Sequence, residues 1–118
     1  MSESPTLKSP NHLKELAINC YNETLLLMQA GKYKEALNEL EKAEKAAKEA
    51  KTDYFFLYFQ TIKGHLMENI GEYEKSLRLH ALSLKTSEAL LAQDPDNKVC
   101  ESIYHMNLDA IKPWRPFL

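Results

Sequence analysis

Histidine and cysteine are the residue types in this 118-residue chain best suited to metal binding or nucleophilic chemistry. The four histidines lack the H-x-x-x-H and H-x-x-E-H spacings that place metal ligands on one helical face. His65 and His105 are 40 residues apart and could approach each other, but such a pair more often contacts peptide than metal. No G-x-S-x-G motif, phosphate-binding loop or pair of carboxylates placed for catalysis appears. The sequence predicts no enzymatic activity, metal or cofactor.

The two cysteines, Cys20 and Cys100, are too few for a zinc cluster and too far apart for a C-x-x-C redox pair. Their separation of 80 residues predicts equivalent inward positions on two equivalent helices of a repeat protein. Residues so far apart in a stack of helices cannot reach disulfide geometry. We therefore expect both thiols to stay free and to fill the core as small apolar groups.

Composition limits the classes of partner. Hydrophobic residues make up 44% of the chain and charged residues 27%, which is typical of a folded globular protein. The formal net charge of −2, with lysine and glutamate interspersed, predicts neither a nucleic-acid surface nor a membrane-binding face. The first residues, Met1 to Pro5, lack the charged and then apolar pattern of a signal peptide. We therefore expect a cytoplasmic protein.

A seven-residue segment that recurs is the strongest organising signal. Gly31–Leu37 (GKYKEAL) returns 40 residues later as Gly71–Leu77 (GEYEKSL). A period of this size is typical of stacked structural repeats. In each copy a glycine can end one helix and an aromatic residue two positions later can open the next. The repeated unit is therefore a helix–turn–helix, and proteins built from such units usually bind other polypeptides.

Apolar periodicity predicts an all-α chain with a flexible lead-in, one helical domain and an apolar tail. The lead-in covers residues 1–10, the domain 11–111 and the Pro- and aromatic-rich tail 112–118. The domain contains five expected helices, at about 11–30, 33–50, 53–70, 73–92 and 97–111.

Three local features define how these helices begin and pack. Asn11 is the expected N-cap of the first helix. The run Tyr54–Phe59 resembles a strand when read alone, but the apolar stripe continues at helical spacing to Gly71, so a helix is expected. In the fifth helix an inward face is expected that consists of Val99, Ile103, Met106 and Ala110.

The two copies resemble the tetratricopeptide repeat family, whose motif places G-x-Y-x-x-A at the turn into the second helix of each repeat. The matching positions are Gly31, Tyr33, Ala36, Leu40 and Ala43 in one repeat and Gly64, Gly71, Tyr73, Ser76 and Ser83 in the other. The resemblance implies a short right-handed α-solenoid of antiparallel helix pairs, two repeats followed by a fifth, capping helix. It also implies that Gly64 lies where the two helices of a repeat come closest.

The chain also departs from that motif. Cys20 and Gln60 stand where the motif favours tryptophan, Thr24 replaces its first glycine and His80 replaces an aromatic residue. The 40-residue period exceeds the usual ~34 and is similar to the long-helix repeats of kinesin light chain.

In this family the first helices of the repeats line a concave groove, so the resemblance implies a peptide- or helix-binding site there. The expected contacts are Ile18, Tyr21, Leu25 and Met28 from the first helix, Tyr54, Tyr58, Thr61, His65 and Glu68 from the third, and Lys98, Glu101, His105 and Leu108 from the fifth. The lead-in segment could instead cover the stripe on the first helix. Residues corresponding to the family's carboxylate clamp are Tyr21, Leu25 and Ile62, so binding of a C-terminal carboxylate is not expected.

The sequence is compatible with two functions. The protein is either an adaptor or scaffold that binds a protein or peptide, or a structural protein that assembles with copies of itself. Self-assembly would use the exposed end of the stack or the tail, which carries Trp114, Phe117 and Leu118. Because Pro113 and Pro116 favour extended backbone, an extended tail is expected. Such a tail could dock on its own chain, dock on a second copy or remain disordered.

Overall fold

The computed structural model describes residues 9–117, which form an all-α protein as predicted. The helices are α1 (Pro10–Gln29), α2 (Tyr33–Glu49), α3 (Asp53–Ile70), α4 (Tyr73–Gln93) and α5 (Lys98–Ile111), with a final 3-10 helix at Lys112–Phe117. Each α-helix begins and ends within one residue of the range that the sequence suggests. Within this part of the chain, none of the helices combines the length and the apolar character needed to cross a bilayer.

The chain divides into two compact units, with the boundary between Phe56 and Leu57 inside α3. The first unit contains α1, α2 and the first turn of α3. The second contains all of α4, α5 and the 3-10 helix, together with α3 from Leu57 onward. In the first unit α1 packs against α2, whose buried face is almost entirely alanine, so the two backbones can approach closely. In the second unit α5 packs against α4.

The N-cap of α1 lies two residues before Asn11, so the assignment of Asn11 as the N-cap was wrong. Ser9 is the N-cap, and its Oγ accepts a hydrogen bond of 3.2 Å from the backbone N–H of His12. Pro10 is the first helical residue. Proline suits this position because its fixed φ is helical and because an N–H there would have no partner within the helix. Residues 1–8 of the expected lead-in, and Leu118, lie outside the described residues.

Three helices end in the same left-handed turn. Gly31 and Gly71 have φ of 75° and 94°, which confirms the prediction that these glycines end α1 and α3. Lys51, after α2, takes the same conformation with φ of 57° although it carries a side chain. At each turn two consecutive backbone N–H groups donate to carbonyls of the last helical turn, as in a Schellman motif.

The aromatic run at the start of α3 is helical, as the continuing apolar stripe predicted. Farther along, Gly64 allows α3 and α4 to approach closely in the second unit. A Cβ placed on Gly64 would lie 2.6 Å from Nε2 and 2.7 Å from Cε1 of the His80 ring. Both distances are shorter than the contacts that Cβ atoms make in proteins. The expected close approach at Gly64 is therefore confirmed.

The tail is not extended, contrary to the sequence expectation, because Lys112–Phe117 continues from α5 as a 3-10 helix. A φ near −65° suits a 3-10 helix as well as extended backbone, so the two prolines do not discriminate between them. The Trp114 ring lies 5.8 Å from the Tyr73 ring, centroid to centroid, at the first residue of α4. The tail therefore docks on its own chain through this aromatic pair.

Candidate functional site: the α3–α5 face

In the second unit, helices α3 and α5 are joined by a buried hydrogen bond between two polar side chains. Nδ2 of Asn107 donates to Oγ1 of Thr61 at 2.9 Å and to the backbone carbonyl of Ile103 at 2.8 Å. The Thr61 hydroxyl donates in turn to the carbonyl of Leu57 at 3.0 Å. Because Thr61 and Asn107 are completely buried and fully bonded, they hold the two helices in one register.

The same amide extends the network to α4. Both N–H groups of the Asn107 amide are used, so its Oδ1 must accept, and Nδ1–H of His80 donates to it at 2.8 Å. This bond fixes the His80 tautomer and leaves Nε2 without a hydrogen-bond partner among the described residues. A continuous chain of buried polar groups thus ties α3, α4 and α5 together.

Two cavities open along the α3–α5 face, which we define as the surface formed by these two helices and the 3-10 helix in the second unit. The first cavity, of about 330 Å³, is lined by Tyr58, Lys98, Val99, Ser102, Ile103 and Met106. The second, of about 400 Å³, is lined by His65, Glu68, Asp109, Ala110, Pro113 and Trp114. The first uses the N-terminal part of each helix and the second the C-terminal part, so α3 and α5 run in the same direction.

Val99 lies on this face and not in the core, where it was expected. The buried stripe of α5 passes through Cys100, Ile103 and Asn107, at i, i+3 and i+7. Cys100 faces α4, where its thiol contacts the carbonyl of Ser87 at 3.3 Å. Val99 is one residue away around the helix and is 59% exposed. The first cavity therefore has an apolar edge that the protein's own core does not cover.

The second cavity combines acidic and aromatic side chains. Glu68 and Asp109 are exposed, and within residues 9–117 neither carboxylate pairs with a lysine or arginine. The ring of His65 lies 4.8 Å from that of His80. Burial lowers the pKa of His65, and the nearby His80 lowers this pKa further. The Glu68 carboxylate raises the pKa and offsets part of both effects. His65 is therefore neutral at pH 7, and the lining carries the charge of the two carboxylates.

The structure separates the expected contact residues into three groups. Tyr58, His65 and Glu68 line the two cavities, whereas Thr61 lies buried between them. His105 is exposed on α5, with its ring 5.4 Å from that of Tyr104. Among the other expected contacts on α5, Lys98 lines the first cavity, and Glu101 and Leu108 are half-buried.

The expected contacts that are left belong to the first unit. Ile18 and Leu25 are exposed on α1, and Tyr21 and Met28 beside them are half-buried. Tyr54 is half-buried in the first turn of α3. Ile18, Tyr21, Leu25 and Met28 form an apolar stripe along α1, whereas Tyr54 lies on α3.

The positions that match the repeat motif are mostly buried. Ala36 and Ala43 are buried in the first unit, and Ser76 and Ser83 in the second. The Ser83 hydroxyl donates to Oε1 of Gln60 at 2.9 Å, which explains how a polar residue is accommodated at that motif position. Tyr33 and Tyr73, the residues that open α2 and α4, are partly exposed.

Sequence reasoning expected four of the twelve cavity residues as contacts and missed the other eight, which are Val99, Ser102, Ile103, Met106, Asp109, Ala110, Pro113 and Trp114. A stripe drawn through Cys100 instead of Val99 would have placed Val99 on the surface. Asn107 also carried a signal, because an amide at the i+4 position from Ile103 interrupts an apolar stripe and indicates a buried hydrogen-bond network.

The two cysteine thiols lie in the core. Cys20 and Cys100 are free and buried, as expected. Burial raises the pKa of each thiol, with a further contribution from Glu39 at Cys20 and from Asp94 at Cys100. Both are therefore protonated and weakly nucleophilic at neutral pH. In the part of the chain that the structure describes, no three His, Cys, Asp or Glu side chains are placed to hold a metal ion.

Comparison with protein-family models, with curated proteins and with solved structures finds no significant match. The resemblance to tetratricopeptide repeats therefore depends on the residues of the repeated motif alone.

Proposed function

We propose that this protein is a non-enzymatic interaction module, an adaptor or scaffold that binds a peptide segment of a partner protein on the α3–α5 face. The observation that carries the proposal is the open first cavity, whose apolar lining includes the exposed Val99. An apolar depression with a polar edge is typical of a peptide-binding surface.

The buried hydrogen-bond network supports this proposal. Thr61, Asn107 and His80 keep the helices beneath the face in one arrangement. A surface that is already ordered loses less conformational entropy on binding, which favours affinity. The motif resemblance supports it too, since helices equivalent to α3 and α5 line the peptide-binding side of tetratricopeptide solenoids. We further propose that the helices form a right-handed solenoid and that the protein is cytoplasmic, where its thiols stay reduced.

Selection from a random dodecapeptide library on the full-length chain tests this function. We expect enriched peptides that lose most of their affinity for the Val99→Ser variant, because the substitution removes apolar contact area from the first cavity. Leu82→Ser is the matched control, since Leu82 is similarly exposed but lies on α4 outside both cavities. Failure to enrich any peptide, or equal loss in the two variants, would rule out the proposed site.

Self-association is a second candidate function, favoured by the apolar surface of the first unit. Leu16, Ile18, Leu25 and Leu26 are all exposed on α1. A helix that presents several large apolar side chains to solvent is a common site of protein contact. Sedimentation over a range of concentrations would show a dimer that Leu26→Glu dissociates if α1 is the interface. A monomer at every concentration would exclude this candidate.

A further inference from the structure

The second cavity differs from the first in charge, and this difference bears on the kind of peptide that the α3–α5 face selects. Two carboxylates, Glu68 and Asp109, line the cavity, and no lysine or arginine does. Trp114 lines the same cavity. Carboxylates together with an indole suit a guanidinium group, which can form charge-assisted hydrogen bonds and stack on an aromatic ring. At about 400 Å³, the cavity is large enough to hold part of one such side chain.

The spacing between the cavities restricts the peptide further. Tyr58 in the first cavity and His65 in the second are seven residues apart on α3, a rise of about 10 Å. A peptide in the polyproline II conformation has three residues per turn and rises about 3.1 Å per residue, so its residues i and i+3 lie on the same side about 9 Å apart. One peptide in this conformation can therefore place an apolar side chain in the first cavity and a side chain three positions away in the second.

We propose that the α3–α5 face selects peptides in the polyproline II conformation in which an arginine lies three residues from an apolar side chain. The apolar side chain occupies the first cavity, and the guanidinium occupies the second, between Glu68, Asp109 and Trp114. This inference depends on the proposed peptide-binding function and adds the chemistry of the ligand to it.

The binding reporter is intrinsic to the site. Trp114 is the only tryptophan in the chain and lines the second cavity, so its emission responds to occupation of that cavity. The probe is a synthetic peptide from the dodecapeptide selection, prepared once with arginine and once with citrulline, the neutral isostere of arginine. A fluorescein label measured by anisotropy reports binding independently of Trp114.

For the wild-type chain we expect basic residues to be enriched in the selection and the arginine peptide to bind about tenfold more tightly than the citrulline peptide. In Glu68→Gln/Asp109→Asn this difference should disappear. The charge-matched control Glu88→Gln/Asp96→Asn alters two exposed carboxylates outside the cavity and should keep the difference.

The outcomes distinguish the two proposals. Peptides that bind through Val99 but show no preference for arginine over citrulline would overturn the inference and leave the proposed function intact. A preference for arginine that survives in Glu68→Gln/Asp109→Asn would also overturn it. If the selection enriches no peptide at all, both proposals fail.

Discussion

At the scale of single residues, Gly64 and His80 control how closely α3 and α4 can pack. A Cβ on Gly64 would lie 2.6 Å from the His80 ring, and that ring is only 1% exposed and bonded to Asn107. The ring therefore cannot swing away without breaking the buried network.

We expect Gly64→Ala to lower the free energy of unfolding by about 1–3 kcal/mol, because overpacking outweighs the better helix propensity of alanine. Urea unfolding of the wild type and the variant measures this change. The control is a double-mutant cycle with His80→Ala, in which the cost of Gly64→Ala should shrink because the ring is gone. A Gly64→Ala variant as stable as the wild type would contradict the packing described at this position.

At the scale of secondary-structure elements, the three left-handed turns that end α1, α2 and α3 share one hydrogen-bond pattern but not one residue type. Lys51 occupies the position that glycine occupies after α1 and α3. A residue with a Cβ is less stable in this conformation than glycine by about 1 kcal/mol. The turn after α2 is thus the least favourable of the three in backbone terms.

Lys51→Gly should therefore raise the free energy of unfolding by up to about 1 kcal/mol, part of which the greater freedom of glycine in the unfolded chain offsets. Thermal and urea unfolding measure the gain. Gly31→Ala and Gly71→Ala are the matched reverse changes and should destabilise the protein. Equal stability of all three variants would show that backbone conformation at these turns has no measurable effect.

The elements also show how far the sequence could predict the structure. The repeated glycines and the apolar periodicity were sufficient for five helices, since both are local signals. The 3-10 tail could not be predicted from such local signals, and the exposure of Val99 could be inferred only by drawing the buried stripe of α5 through Cys100. Proline fixes φ without choosing between 3-10 and extended backbone, and the buried stripe of α5 depends on its contacts with α4. The second cavity depends on Trp114 from the tail, whose position no local pattern specifies.

At the scale of the whole molecule, the two compact units carry surfaces of different character. The first unit presents the apolar stripe of α1, and the second presents a cavity pair with an apolar and an acidic end. We assign recognition of a partner peptide to the second unit. The α1 stripe is the competing location, and it was among the contact residues expected from the sequence.

Amide chemical-shift mapping of the full-length chain, titrated with a peptide from the dodecapeptide selection, tests this assignment most directly. We expect the largest shifts in residues 58–68 of α3 and 98–110 of α5, together with a shift of the Trp114 indole N–H. Residues 18–28 of α1 should shift little. The largest shifts in residues 18–28, with the α3–α5 face unchanged, would place the peptide on α1 and contradict binding to the α3–α5 face.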